Sequence, residues 1–101
     1  MARALVGKAS ELQPGMAVRV VVDEVPVAVF NVEGTFYAIG DTCSHEESSL
    51  SEGFVDEDIV ECAKHGAMFH IPTGANRSLP ATRPVPVFAT VLEGDDLYVE
   101  I

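Results

Sequence analysis

Apolar and polar positions alternate in short runs along this chain, broken every few residues by glycine, proline or paired acids. No stretch sustains the i, i+3, i+4 spacing of a long helix. The pattern predicts strands over 2–6, 16–22, 25–32 and 35–39. A single helical turn over 8–13 is stopped by Pro14-Gly15, and tight turns are expected at Asp23-Glu24 and Glu33-Gly34. Pro26 suits a strand start or an edge. Further on, Phe54-Val55 and 59–61 bracket the acidic turn Asp56-Glu57-Asp58, and 67–71 returns as a strand into a turn at Pro72-Thr73-Gly74. Pro80, Pro84 and Pro86 mark an extended surface segment, and 88–93 with 97–101 closes the chain as a hairpin about Gly94-Asp95-Asp96. The architecture expected is antiparallel all-β, a sandwich or small barrel, with loops emerging from neighbouring hairpins after 35–39 and 59–61.

Composition limits what such a scaffold can be. A chain of 101 residues, 48% of them hydrophobic and 22% charged, is long enough for one domain with a single core, here taken as 1–101, and has no room for a second. No apolar run approaches the roughly 18 residues of a membrane span. Arg3, Gly7 and Lys8 interrupt the stretch where a signal-peptide core would lie, so a cytoplasmic location is expected. Sixteen acidic against six basic residues give a formal charge of −10. That charge disfavours nucleic acid and anionic membranes as partners and favours basic protein surfaces, or simply keeps the chain soluble.

The chemistry is concentrated in two segments: Cys43-Ser44-His45 and, after residues 46–61, Cys62-Ala63-Lys64-His65. They use both cysteines and two of the three histidines. With a histidine close behind each cysteine and no export signal, a disulfide is the poorer use of these thiols. Two thiolates and two imidazoles can saturate a tetrahedral zinc, or hold a 2Fe-2S cluster with thiolates on one iron and imidazoles on the other; ligand identity alone does not choose. A structural zinc module usually substitutes for a missing core, whereas this chain has ample apolar strands. Gly66 also suits a loop folded tightly around something bulkier than one ion.

Together with Gly66, Phe69, Thr73-Gly74 and Pro80-Ala81, these segments resemble the extended signature of Rieske proteins, covering Cys43 to Ala81, with flanking strands similar to a complete Rieske domain. The resemblance implies a Rieske-like fold with two cluster-binding hairpin loops, about 40–50 and 61–81, and one 2Fe-2S cluster. Cys43 and Cys62 would bind the inner iron, and His45 and His65 the outer, solvent-near iron. The high-potential branch of the family carries an extra cysteine in each loop, where this chain has Ser48 and Lys64. It also directs serine and tyrosine hydroxyls at the cluster, where this chain has Ala67 and Phe69, neither of which can donate. Fewer hydrogen bonds to the sulfurs imply a potential near the lower end of the roughly −150 to +300 mV Rieske range. The chain thus resembles the ferredoxins of bacterial aromatic-ring dioxygenase systems. Such ferredoxins are one-electron carriers between a flavin-dependent ferredoxin reductase and a terminal oxygenase, not catalysts. The alternatives are a Rieske small subunit of another redox enzyme, of the nitrite reductase type, and a structural zinc-binding interaction module.

Outside the motif, His70 is expected on the face of its strand opposite Phe69, as a surface histidine rather than a ligand. Phe30, Phe36, Tyr37, Phe54 and Phe69 are expected as core or loop-covering aromatics. Glu46 and Glu47 are either a negative collar beside His45 or ordinary solvated acids.

Overall fold

The computed structural model describes residues 3–42, 49–63, 66–77 and 83–101. Among these, nine strands follow one another: β1 (Arg3–Lys8), β2 (Ala17–Val22), β3 (Val25–Val32), β4 (Thr35–Gly40), β5 (Phe54–Asp56), β6 (Ile59–Glu61), β7 (Met68–His70), β8 (Val87–Glu93) and β9 (Asp96–Glu100). Six form one antiparallel sheet in the order β1-β9-β8-β4-β3-β2, whose outer strands β1 and β2 approach each other to give a nearly closed barrel. The remaining three form a small antiparallel sheet, β5-β6-β7. The all-β expectation therefore holds, with the barrel and a second sheet combined.

Tight hairpins set the register. Asp23 and Glu24 both take positive φ, 48° and 68°, the backbone of a type I′ turn, and β2 pairs β3 from Val22 opposite Val25 to Ala17 opposite Phe30. Glu33-Gly34 does the same between β3 and β4, aligning Val32 with Thr35 and Val27 with Gly40. Pro26 occupies the strand-start option: β3 is paired on both sides, but Pro26 is only its second residue.

Strand β3 explains how the two sheets join, because it is buried on both faces. Val27 and Val29 point into the barrel with Leu12, Val22, Ala38, Leu97 and Val99. Ala28 and Phe30 point outward into a second apolar core with Ile39, Leu50, Val60, Cys62, Ala67, Phe69, Ile71 and Val85. The period of two thus makes one strand the common wall of both cores. Each of its fully buried large side chains contributes about 1.5–3 kcal/mol.

The 3-10 turn Ala9–Glu11 realises the expected helical turn. It is tied to the β8–β9 hairpin by Ser10, whose Oγ and backbone N–H donate to Asp95 at 2.7 and 3.0 Å and hold that carboxyl below its usual range. A second 3-10 turn, Leu50–Glu52, lies in the serine-rich stretch where no element is predicted.

Candidate metal centre

The first ligand segment leaves the end of β4, and its base is held by Asp41. This carboxylate is 2% exposed. Its Oδ2 accepts from Arg19 Nε at 3.1 Å and from Ser49 Oγ, and its Oδ1 accepts from the backbone N–H of Ser51 at 2.9 Å. Its own backbone donates to Pro26 O at 3.1 Å and accepts from Leu50 N at 2.6 Å. Thr42 and Ser49 then form an antiparallel bridge. Residues 42 and 49 are therefore pinned side by side, and Leu50 drops fully buried into the outer core. Asp41 is the functional residue that sequence reasoning missed. The available signal was an acid at the end of an apolar strand, two residues before Cys43, with serines available beyond the loop. Cys43 and His45 themselves, with Glu46, Glu47 and Ser48, lie outside the described residues.

The second segment begins at Cys62, directly after β6, as expected. Cys62 is 1% exposed and packs in the outer core with Val60, Ala67 and Phe69. Two backbone bonds close the loop: Cys62 N–H to Ala67 O at 2.7 Å and Gly66 N–H to Cys62 O at 3.0 Å. Gly66 takes a φ of +76°, which a side chain would strain. His65 and Lys64 lie outside the described residues. The feet of the two loops nevertheless share one core, since Leu50 follows the first and Cys62 opens the second.

Beyond β7 the chain folds back on itself. Gly74 N–H donates to His70 O at 2.7 Å, and Gly74 O accepts from Val85 N at 2.9 Å, with Gly74 at a φ of +72° and no space for a Cβ against the Val85 carbonyl. The Thr73-Gly74 turn is thus the seat on which Val85 rests. Val85 is buried there, between Pro84 and Pro86, so the extended segment expected at the surface is not wholly exposed. Pro80 and Ala81 lie outside the described residues. His70 does occupy the face opposite Phe69, but it is not a solvated surface histidine. Its side chain is 17% exposed, its Nδ1 lies 2.8 Å from Thr73 Oγ1, and its Nε2 lies 3.0 Å from Asp58 Oδ2. It ties the β5–β6 turn to the Thr-Gly turn rather than facing a metal. Of the aromatics, Phe30 and Phe69 are core residues, whereas Phe54 stands out into solvent.

The donor set tests well against an iron-sulfur group. Cys62, a thiol in a dry, glycine-turned loop anchored to the same core as the foot of the other loop, would hold such a group on its enclosed side. A model of the Rieske 2Fe-2S domain matches residues 2–89. The chain belongs to this family. As a Rieske protein it carries one 2Fe-2S cluster, which sets aside the structural zinc module. It is similar to the ferredoxin component of biphenyl 2,3-dioxygenase from Rhodococcus jostii (strain RHA1), 42% identical over 101 residues that span 100% of this chain and 94% of that one. The 3-phenylpropionate/cinnamic acid dioxygenase ferredoxin subunit of Escherichia coli (strain K12) is 43% identical over 94 residues, 91% of this chain and 87% of its own. Among solved structures, one described as the complex of reduced oxygenase and oxidized ferredoxin in carbazole 1,9a-dioxygenase superposes with a TM-score of 0.92 at 43% identity, over 96% of this Rieske chain and 91% of that one. No helix among the described residues is long and apolar enough to cross a membrane.

Proposed function

We propose that this protein is the cytoplasmic one-electron carrier of an aromatic-ring dioxygenase system, taking electrons from a flavin-dependent ferredoxin reductase and delivering them to the terminal oxygenase. It is an electron-transfer component rather than a catalyst. The observation that carries the reading is the 42% identity to a dioxygenase ferredoxin component along 100% of this chain. We further assign Cys43 and Cys62 to the inner iron and His45 and His65 to the outer one, within a single domain 1–101 whose ligand loops are about 40–50 and 61–81. The bound cluster supplies a one-electron couple. The chain supplies the rest: Cys62 lies in a water-excluding core, the Asp41 clamp fixes the base of the first loop, and the net acidity draws in basic protein surfaces. The nitrite reductase small-subunit reading rests on a shared fold alone.

The test is stopped-flow reduction of a terminal oxygenase by the pre-reduced protein after iron and sulfide have been assayed. Stoichiometric 2Fe-2S and electron delivery are expected, with the rate at sub-saturating carrier falling several-fold from low to high salt, roughly as screening of exposed charges dictates. Glu46→Gln with Glu47→Gln should slow delivery in the same way while leaving the potential nearly unchanged. A colourless, zinc-loaded protein would overturn the reading.

The two missing hydroxyls make a separate prediction. Ala67 and Phe69 are fully buried in the same core as Cys62, so a hydroxyl introduced there would act in a dry environment where its hydrogen bond to sulfur is strong. Ala67→Ser and Phe69→Tyr are expected to raise the midpoint potential, because such bonds favour the more negative reduced state. Direct electrochemistry checks this. An unmodified protein already near the top of the roughly −150 to +300 mV range would defeat the argument.

A further inference from the structure

The outer face of the small sheet is unlike the rest of the surface. Its inner face, Val55, Val60 and Phe69, packs into the outer core. Its outer face carries the cross-strand row Phe54, Glu61, Met68 and, beside it, the row Asp56, Ile59, His70, the histidine turned to Asp58 and Thr73. Phe54 is 65% exposed and Met68 37%. Phe54, Asp56, Glu57, Ile59, Glu61 and Met68 line a groove of about 260 Å³, with room for one long side chain and with Glu61 standing between Phe54 and Met68. Single exposed apolar residues need no explanation, but an aromatic, a methionine and an isoleucine on one small face, interleaved with Asp56 and Glu61, place exposed apolar area and negative charge side by side. The face adjoins the second ligand loop. Glu61 directly precedes Cys62, and a methyl group on Gly66 would lie 3.7 Å from Glu61 Oε2.

We infer that this groove is a docking surface for the terminal oxygenase, taking an arginine or lysine of that partner flanked by an apolar side chain. The inference rests on the carrier reading above. The charge pattern selects the occupant: a cation can lie over the Phe54 ring while the Asp56, Glu57 and Glu61 carboxylates neutralise it, and the apolar neighbour covers Met68 and Ile59. A second copy of this chain fits poorly, because it would bring another −10 of charge against these carboxylates. The oxygenase is named because a close structural relative occurs in a complex with its oxygenase.

The experiment compares the cluster-loaded protein with Phe54→Ser/Met68→Gln and with Asp56→Asn/Glu57→Gln in stopped-flow reduction of the oxygenase over a range of carrier concentrations. Visible spectrum and midpoint potential are measured to verify an unaltered cluster. The apolar variant should raise the half-saturating concentration about tenfold while leaving the limiting rate within about twofold, the effect of truncating an aromatic anchor. Phe54→Tyr should behave as the unmodified protein, and the charge variant should flatten the salt dependence. An unchanged half-saturating concentration in the apolar variant, with delivery intact, overturns the inference and leaves the carrier reading standing. So does a loss confined to the reductase reaction, or sedimentation showing a dimer of the unmodified protein that the variant dissolves. An unmodified carrier that reduces no oxygenase refutes the carrier reading itself and the docking assignment with it.

Discussion

Cys62→Ala is expected to yield a folded but colourless protein, with bound iron reduced at least about tenfold relative to the unmodified chain, because loss of one thiolate leaves a cluster with neither its charge balance nor its full coordination. The fold should survive. Removing one sulfur from the outer core leaves a small cavity, and the barrel core of Val27, Val29, Ala38, Leu97 and Val99 contains no ligand at all. Far-ultraviolet circular dichroism should therefore match the parent while the visible bands disappear. Cys43→Ala should behave alike. A full cluster in either variant would sink the ligand assignment.

Asp41→Ala is expected to be strongly destabilising, by about 3 kcal/mol, since it strips the acceptor from the part-buried Ser51 N–H and from Ser49 Oγ at once. In a domain of this size that corresponds to a fall in melting temperature of roughly 10–20 °C. Graded variants separate the contributions. Asp41→Asn keeps one acceptor oxygen and should cost about 1 kcal/mol. Arg19→Gln should cost under about 1 kcal/mol, because the Arg19 side chain is 52% exposed and water replaces its partner. Melting curves of the cluster-loaded proteins, followed in the far-ultraviolet and visible together, are the measurement. An Asp41→Ala melting temperature within about 2 °C of the parent would show that the loop foot is held by packing instead.

Hairpins were legible in the sequence because their determinants are local. Glu33-Gly34 and Asp23-Glu24 mark turns by composition alone, and alternating apolar residues between them set strands that differ from the observed ones by only a residue or two. The ligand segments were equally legible, since cysteine and histidine spacing is itself the motif. What could not be read is tertiary. An acid at the end of an apolar strand is a local signal too weak to separate Asp41 from a solvated turn acid; its burial depends on Ser49 and Ser51 returning across the loop and on Arg19 from another strand. The 3-10 turn Leu50–Glu52 likewise has weak propensity and exists because Leu50 is drawn into the core. Strand alternation puts His70 on the correct face, but its bonds to Thr73 and Asp58 depend on two turns meeting in space. Phe54 shows the converse: aromatic bulk suggested a buried role, and strand alternation put it outside.

The closing of each ligand loop at its own base, by Leu50 N–H to Asp41 O and by Cys62 N–H to Ala67 O, limits how this protein can report its oxidation state. An electron adds one unit of charge to a molecule already at a formal −10, on loops whose bases are both tied by backbone hydrogen bonds. At a partner surface some 8–10 Å away, that extra unit alters affinity by about 0.5 kcal/mol at the dielectric of bulk water and by about 2 kcal/mol at the effective dielectric of roughly 20 near a protein surface, and salt lowers both. Charge alone therefore lets donor and acceptor distinguish the empty from the filled carrier by about thirtyfold at most. The direction of flow is governed by the potentials of the three centres, and throughput depends on brief residence, since a partner that held the carrier tightly would also be slow to release the spent form.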